Sequence, residues 1–136
     1  VQAGTFPPFL WTTALACGLG ADNILIVNNI RDRATDERSG KRTTVVRFGE
    51  AWARKLFAFN FAVIFLSPLA LRFAFGFDAL TVLLPMILLP IPIGEILKNL
   101  REIKDPRECN PLLAKVAGTL LLYAVSQSVG LFLSAP

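Results

Sequence analysis

Hydrophobic positions fall in four long blocks, about residues 8–33, 53–75, 79–101 and 112–133, with polar stretches over about residues 34–52 and 102–111. Phe73 to Asp78 forms a shorter turn between the second and third blocks. Blocks of this length predict membrane-crossing helices, because about 20 residues rising 1.5 Å each span the hydrocarbon core. A membrane β-barrel would instead show short segments of alternating polarity. The expected fold is all-α: a polytopic transmembrane bundle of about four membrane helices, forming one transmembrane segment over residues 1–136.

Local signals refine these boundaries. Pro7 and Pro8 suit the first turn of a helix, with Thr5 or Phe6 as the cap region. The second block is interrupted by Asn60 and by Ser67-Pro68. Pro85, Pro90 and Pro92 are expected to kink the third. Asn110-Pro111 reads as a capping residue followed by proline at the first helical position, opening the last helix. There, Ala117, Gly118, Ser126, Ser128 and Gly130 are small enough to allow close helix packing.

Composition supports the membrane class and narrows the chemistry. A hydrophobic share of 54% and a mean hydropathy of +0.55 are too apolar for an ordinary soluble domain. Of the 14 Lys and Arg residues, all but Arg72 lie between Arg31 and Lys55 or between Lys98 and Lys115. Basic residues accumulate in cytoplasmic loops, so both clusters are expected inside and Arg72 outside. The isoelectric point near 9.5 therefore reflects orientation and does not point to nucleic-acid binding. With no histidine and two cysteines, Cys17 and Cys109, far apart in sequence, zinc chemistry, a histidine base and a disulfide framework are unsupported.

The candidate chemistry lies between the first two blocks, from Asn28 to Thr43. Asn28, Asp32 and Asp36 recur every four residues, which on a continuing helix displaces each by about 40° from the last and keeps all three on one face. Two carboxylates and an amide oxygen are hard donors suited to magnesium, which is commonly bound with substrate phosphate oxygens. Arg31, Arg33, Arg38, Lys41 and Arg42 would balance phosphate charge. The competing reading is a charged loop that only obeys orientation rules. Gly40-Lys41-Arg42-Thr43 is not a nucleotide P-loop, because Arg42 follows the lysine and Thr35 stands at the first glycine position.

Two further places carry polar groups at or near membrane depth. Asp22 is costly there, about 2.5–3.5 kcal/mol on insertion scales. It follows the same stripe at spacings of seven through Asn29 and Asp36. A polar cavity along this helix and a single interhelical hydrogen bond are equally consistent with it. Glu95 and Lys98, three apart, are expected to pair; Lys98 is also a candidate phosphate contact.

The string Val27-Asn28-Asn29-Ile30-Arg31-Asp32 with Asp36, then Gly40-Lys41-Arg42-Thr43 and Val46-Arg47-Phe48-Gly49, closely resembles the second aspartate-rich motif of the UbiA superfamily of intramembrane prenyltransferases. Asn110-Pro111-Leu112-Leu113-Ala114-Lys115 is similar to the menaquinone-pathway branch near the start of its last helix. The resemblance implies a nine-helix bundle around a central cavity, with this chain as helices six to nine. It also implies magnesium-dependent transfer of a polyprenyl group from an isoprenyl diphosphate to an aromatic quinone precursor, in this branch 1,4-dihydroxy-2-naphthoate. Carried over by position, Asp32 and Asp36 hold metal with help from Asn28, and Arg31, Arg33, Lys41 and Arg42 contact the diphosphate. The family's first aspartate motif is absent here, so the chain alone is expected to be inactive.

The chain lacks an initiator Met and is expected to be a segment of a longer protein whose preceding helices complete the bundle. Expected partners are the isoprenyl diphosphate, the aromatic acceptor and those helices, with no nucleic acid. The expected location is the inner or plasma membrane, with the charged loops cytoplasmic. Two alternatives remain open: a non-catalytic membrane module or transporter half with a cation-binding acidic stripe, and a UbiA-type enzyme with another aromatic acceptor.

Overall fold

The computed structural model describes residue 4 and residues 6–134. Its helices are α1 (Leu10–Arg38), α2 (Thr44–Phe48), α3 (Glu50–Phe75), α4 (Ala79–Leu88), α5 (Pro90–Glu102) and α6 (Cys109–Leu133), with a 3-10 turn, Pro106–Glu108, before α6. No strand occurs among the described residues. With α4 and α5 taken as one broken crossing, four helical stretches are long and apolar enough to span a membrane. The core lies where α1, α3 and α6 meet and contains Val27, Ile30, Phe57, Phe61, Val116 and Tyr123.

Several boundaries differ from the pattern-based expectation. Phe9, not Thr5 or Phe6, precedes the first helical residue; Thr5 lies outside the described residues. The prolines instead shape a tight entry in which Leu10 N donates to Pro7 O and Trp11 N to Pro8 O. α1 also continues past residue 33 to Arg38, because nothing before Ser39-Gly40 breaks it. The expected loop over residues 34–52 therefore shrinks to short connections on either side of α2. The Thr43 hydroxyl caps α2 at Val46 N, and Gly49, at φ 84°, separates α2 from α3. Asn110 does not cap α6. The chain turns at Asp105, whose carboxylate accepts from Arg107 N while Glu108 reaches back to Asp105 N, so Pro111 falls inside the first turn of α6.

The prolines show how apolar helices accommodate missing donors. Pro68 cannot donate to Ile64 O, and the Ser67 hydroxyl takes that carbonyl at 2.8 Å. Because the Ser67 proton is used there, Tyr123 OH must be the donor in its 2.9 Å bond to Ser67 Oγ. Pro85 likewise leaves Thr81 O free, and the Gln127 amide of α6 donates to it at 3.4 Å. Pro90 and Pro92 remove two donors within three residues, and there the third crossing divides into α4 and α5. Replacement of Ser67 by Ala is expected to cost about 1–3 kcal/mol, since it strands both the Ile64 carbonyl and the Tyr123 hydroxyl. Tyr123→Phe removes only the bond and should cost about 0.6 kcal/mol. Unfolding midpoints in detergent check the order, and equal shifts would contradict it.

α6 packs closely against α4, and Gly130 marks the tightest approach. Gly130 lies against Thr81, whose hydroxyl donates to Gly130 O at 3.2 Å and meets Ser134 Oγ at 2.7 Å. Of the small residues expected to line helix contacts, Ser126 and Gly130 are buried, whereas Ala117, Gly118 and Ser128 are exposed. The latter three lie on another side of α6, away from α4. On α1, Ala16, Gly20, Asn23, Val27 and Ile30 are buried, while Ala14, Gly18, Ala21 and Leu25 are exposed. At alternating spacings of four and three, the exposed set shares a face with Asn28 and Asp32. Asn28 and Asp32 thus lie toward the side of α1 that the described helices leave uncovered, whereas Asp36 is buried.

Candidate functional site

The end of α1 sets the position of the second acid. Gly40, at φ 74°, adopts a left-handed conformation that strains residues with a Cβ. Through it Gly40 N bonds Glu37 O, and Lys41 N bonds Asp36 O at 2.9 Å. This paired closure of a helix end turns the chain back over its last turn. Lys41 Nζ thereby reaches Asp36 Oδ1 at 3.0 Å. The Asp36 side chain is only 7% exposed while that of Lys41 is 67% exposed, so the ammonium covers the carboxylate from the water side.

Asp32 is the open member of the pair. Arg31 grips it bidentately, Nε to Oδ1 at 2.8 Å and Nη2 to Oδ2 at 2.9 Å, the fork geometry that also suits phosphate. The remaining arm of Arg31, Nη1, donates to Asn110 Oδ1 at 3.0 Å. Asn110 belongs to the first turn of α6, so this contact joins the two ends that the sequence separates by 79 positions. Sequence reasoning assigned Asn110 to capping and missed it as a partner of Arg31; its place within a motif-like string was the available signal.

The other candidate residues are placed less specifically. Asn28 and Arg33 are half-buried and Arg42 is exposed on the chain leading into α2. No ion pair among the described residues involves Arg33, Arg42 or Lys98. Lys98 is exposed on α5. The expected pairing of Glu95 with Lys98 is not formed; Glu95 Oε2 meets Lys115 Nζ of α6 at 3.5 Å instead. α5 packs on α6, which brings Lys115 to Glu95 from across the contact, and an interhelical partner displaces the one on the same helix.

Deeper in α1, Asp22 joins a polar network shared with α3. Asn23 Nδ2 donates to Phe57 O at 3.4 Å. Asn60 Nδ2 donates to Asn23 Oδ1 at 3.0 Å and to Asp22 Oδ2 at 2.8 Å. Asn60 Oδ1 is buried without a hydrogen-bond partner. Cys17 is exposed and Cys109 buried, and both are free thiols.

For a metal, the available donors are the carboxylates of Asp32 and Asp36 and the amide oxygen of Asn28. Among the described residues no cluster of three or more acidic or cysteine side chains could enclose an ion. Hard oxygens on one helix face fit a cation that keeps much of its water and takes the rest of its ligands from phosphate. They do not fit a closed all-protein cage.

Sequence comparisons give the family of this apolar, four-crossing chain. The UbiA prenyltransferase family model matches residues 1–130, and the chain belongs to that family. It is 36% identical to 1,4-dihydroxy-2-naphthoate octaprenyltransferase of Escherichia coli (strain K12) over 134 residues, 98% of this chain and 43% of that protein. The chain thus spans less than half the length of this relative. No solved structure matches it. Family membership and four apolar helices of bilayer length make it an integral membrane protein.

Proposed function

We propose that this chain supplies the half of a prenyltransferase site that binds a metal-associated isoprenyl diphosphate, in a protein that transfers the polyprenyl group to an aromatic quinone precursor. The observation that carries the reading is the pairing of Asp32 with Arg31 and of Asp36 with Lys41. Each candidate metal-binding carboxylate is neutralised by a cation able to bind phosphate. When a divalent cation and a diphosphate enter together, the carboxylates have a new positive partner and the basic side chains a new negative one. The two carboxylates balance the divalent cation, and Arg31 with Lys41 balance two of the three charges on the diphosphate.

Within that site, Asp32 and Asp36 with Asn28 would hold magnesium. The bound ion would neutralise charge that develops on the departing diphosphate. Arg31, anchored by Asn110, offers its fork to phosphate oxygens, and Lys41 offers a point charge on a flexible stem. Arg33 and Arg42 add positive potential beside them, and Lys98 is a more distant candidate. Charge stabilisation on the leaving diphosphate favours cleavage of the allylic C–O bond; the electron-rich aromatic ring then attacks the allylic carbon and loses its carboxylate as CO2, which restores aromaticity. We place this end of the bundle on the cytoplasmic side, following the distribution of Lys and Arg.

The acceptor proposed is 1,4-dihydroxy-2-naphthoate, after the name of the E. coli relative. The test is an assay of the full-length protein in membranes, with isoprenyl diphosphate and either naphthoate or hydroxybenzoate acceptors, with magnesium and with chelator. Prenylated naphthoate that disappears on chelation is the expected result. Prenylation of the benzoate alone would reassign the acceptor, and transfer unaffected by chelation would remove the metal from the proposal.

A further inference from the structure

Asp22 is not needed to join α1 to α3, because Asn23 already does so through Phe57 O and Asn60. Asn60 nevertheless uses its second amide hydrogen on Asp22 Oδ2 at 2.8 Å. Its own carbonyl oxygen is left buried and unpartnered. The network therefore holds one carboxylate oxygen of Asp22 firmly, at the expense of an unsatisfied amide. Such a fixed carboxylate is characteristic of a ligand-orienting group, whose rotamer is locked by the residues behind it.

Asp22 is half-buried, at the edge of the uncovered side of α1, next to exposed Leu25 and before buried Asn23. It follows Asp32 down the helix by ten residues, about 15 Å along the axis. The diphosphate, the carbon it leaves and one aromatic ring system, placed end to end, fill a span of that order. Among the described residues Asp22 Oδ1 has no hydrogen-bond partner. That free oxygen offers an acceptor lone pair, so a ligand bound there would bring a donor. Neither the isoprenyl tail nor the diphosphate has one, whereas a hydroxylated aromatic ring does.

We infer that Asp22, oriented by Asn60 and Asn23, binds a ring hydroxyl of the aromatic acceptor and so determines acceptor specificity. This rests on the prenyl-transfer reading above. Here Asp22 is a specificity residue, separate from the metal and diphosphate ligands, and it acts from the apolar depth of the bundle.

The test uses the full-length protein with Asp22→Asn, which keeps the shape and an oxygen for Asn60 while removing the charge. The KM for the dihydroxylated acceptor should rise about ten- to hundredfold, the effect of losing a hydrogen bond to a charged group. The KM for isoprenyl diphosphate should stay within about twofold, since Asp22 is remote from Asp32. The inhibition constant of an acceptor analogue with its hydroxyls methylated should not change. Asp22→Glu, which retains the charge but displaces it, should give a smaller rise in acceptor KM. If both KM values rise together, or the acceptor KM is unchanged while the unfolding midpoint falls, Asp22 serves packing and the inference is overturned. Absence of transfer to any hydroxylated aromatic by the unmodified protein would overturn the functional reading itself, and this inference with it.

Discussion

Asp32→Asn in the full-length protein is expected to reduce prenyl transfer about 10²- to 10³-fold, the range seen when one preorganised charge-stabilising group is removed. The change preserves volume and removes only the negative charge. Asp32 is 45% exposed and its bond to Arg31 lies at a helix end, so the fold should tolerate the substitution. The loss should therefore appear in rate, with little change in the unfolding midpoint. Raising magnesium should not restore wild-type turnover, because an amide oxygen replaces a charged ligand at the position where charge is required. Asp36→Asn should be comparably inactive. It leaves the Lys41 ammonium without its carboxylate, but that side chain is largely exposed and rehydrates. Initial rates in membranes across a magnesium series distinguish these cases. Near wild-type turnover in either variant would sink the metal assignment.

Gly130→Ala is expected to destabilise the fold through the contact between α4 and α6. A Cβ there would stand 2.8 Å from Thr81 Cα and 3.3 Å from Leu80 O, so backbone on α4 must move. That shift would also strain the Thr81 hydroxyl bond to Gly130 O and the Gln127 bond that covers the carbonyl freed by Pro85. Overpacking of this kind costs about 1–3 kcal/mol. Gly20→Ala is the informative comparison. Its Cβ would meet only side-chain atoms of Leu120 and no backbone; that side chain can change rotamer, so the cost should fall below that of Gly130→Ala. Unfolding midpoints of the two variants in the same detergent provide the measurement. Equal destabilisation would mean that α4 and α6 are not held at the approach described.

Much of this protein was legible along the chain. Four apolar blocks required helices, because a backbone in hydrocarbon must satisfy its own hydrogen bonds. The four-residue spacing of Asn28, Asp32 and Asp36 placed them on one helical face, and the Ser39-Gly40 break ended α1. Pro90 and Pro92 announced disruption in the third crossing, and the helix parts at Pro90, whereas α4 runs on through Pro85.

Contacts between distant segments were not legible, since helical periodicity states which side a residue occupies and not what faces it. Glu95 had a partner three residues away, yet α6 brought Lys115 to it. Arg31 could be assigned to phosphate chemistry, but its anchoring by Asn110 depends on where α6 begins. Asp22 was recognisable as a charge at unusual depth, whereas its fixation by Asn60 needed α3 beside α1. The amino-acid order thus determined the helices, their membrane character and the side of α1 that carries the acids. Only the folded structure decided which acid is covered and which is open, through a local turn at Gly40 and the distant contact of Arg31 with Asn110. Asp36 is enclosed because the Gly40 turn folds Lys41 over it, and Asp32 stays accessible because Arg31 approaches from the α6 side and leaves the outer face uncovered.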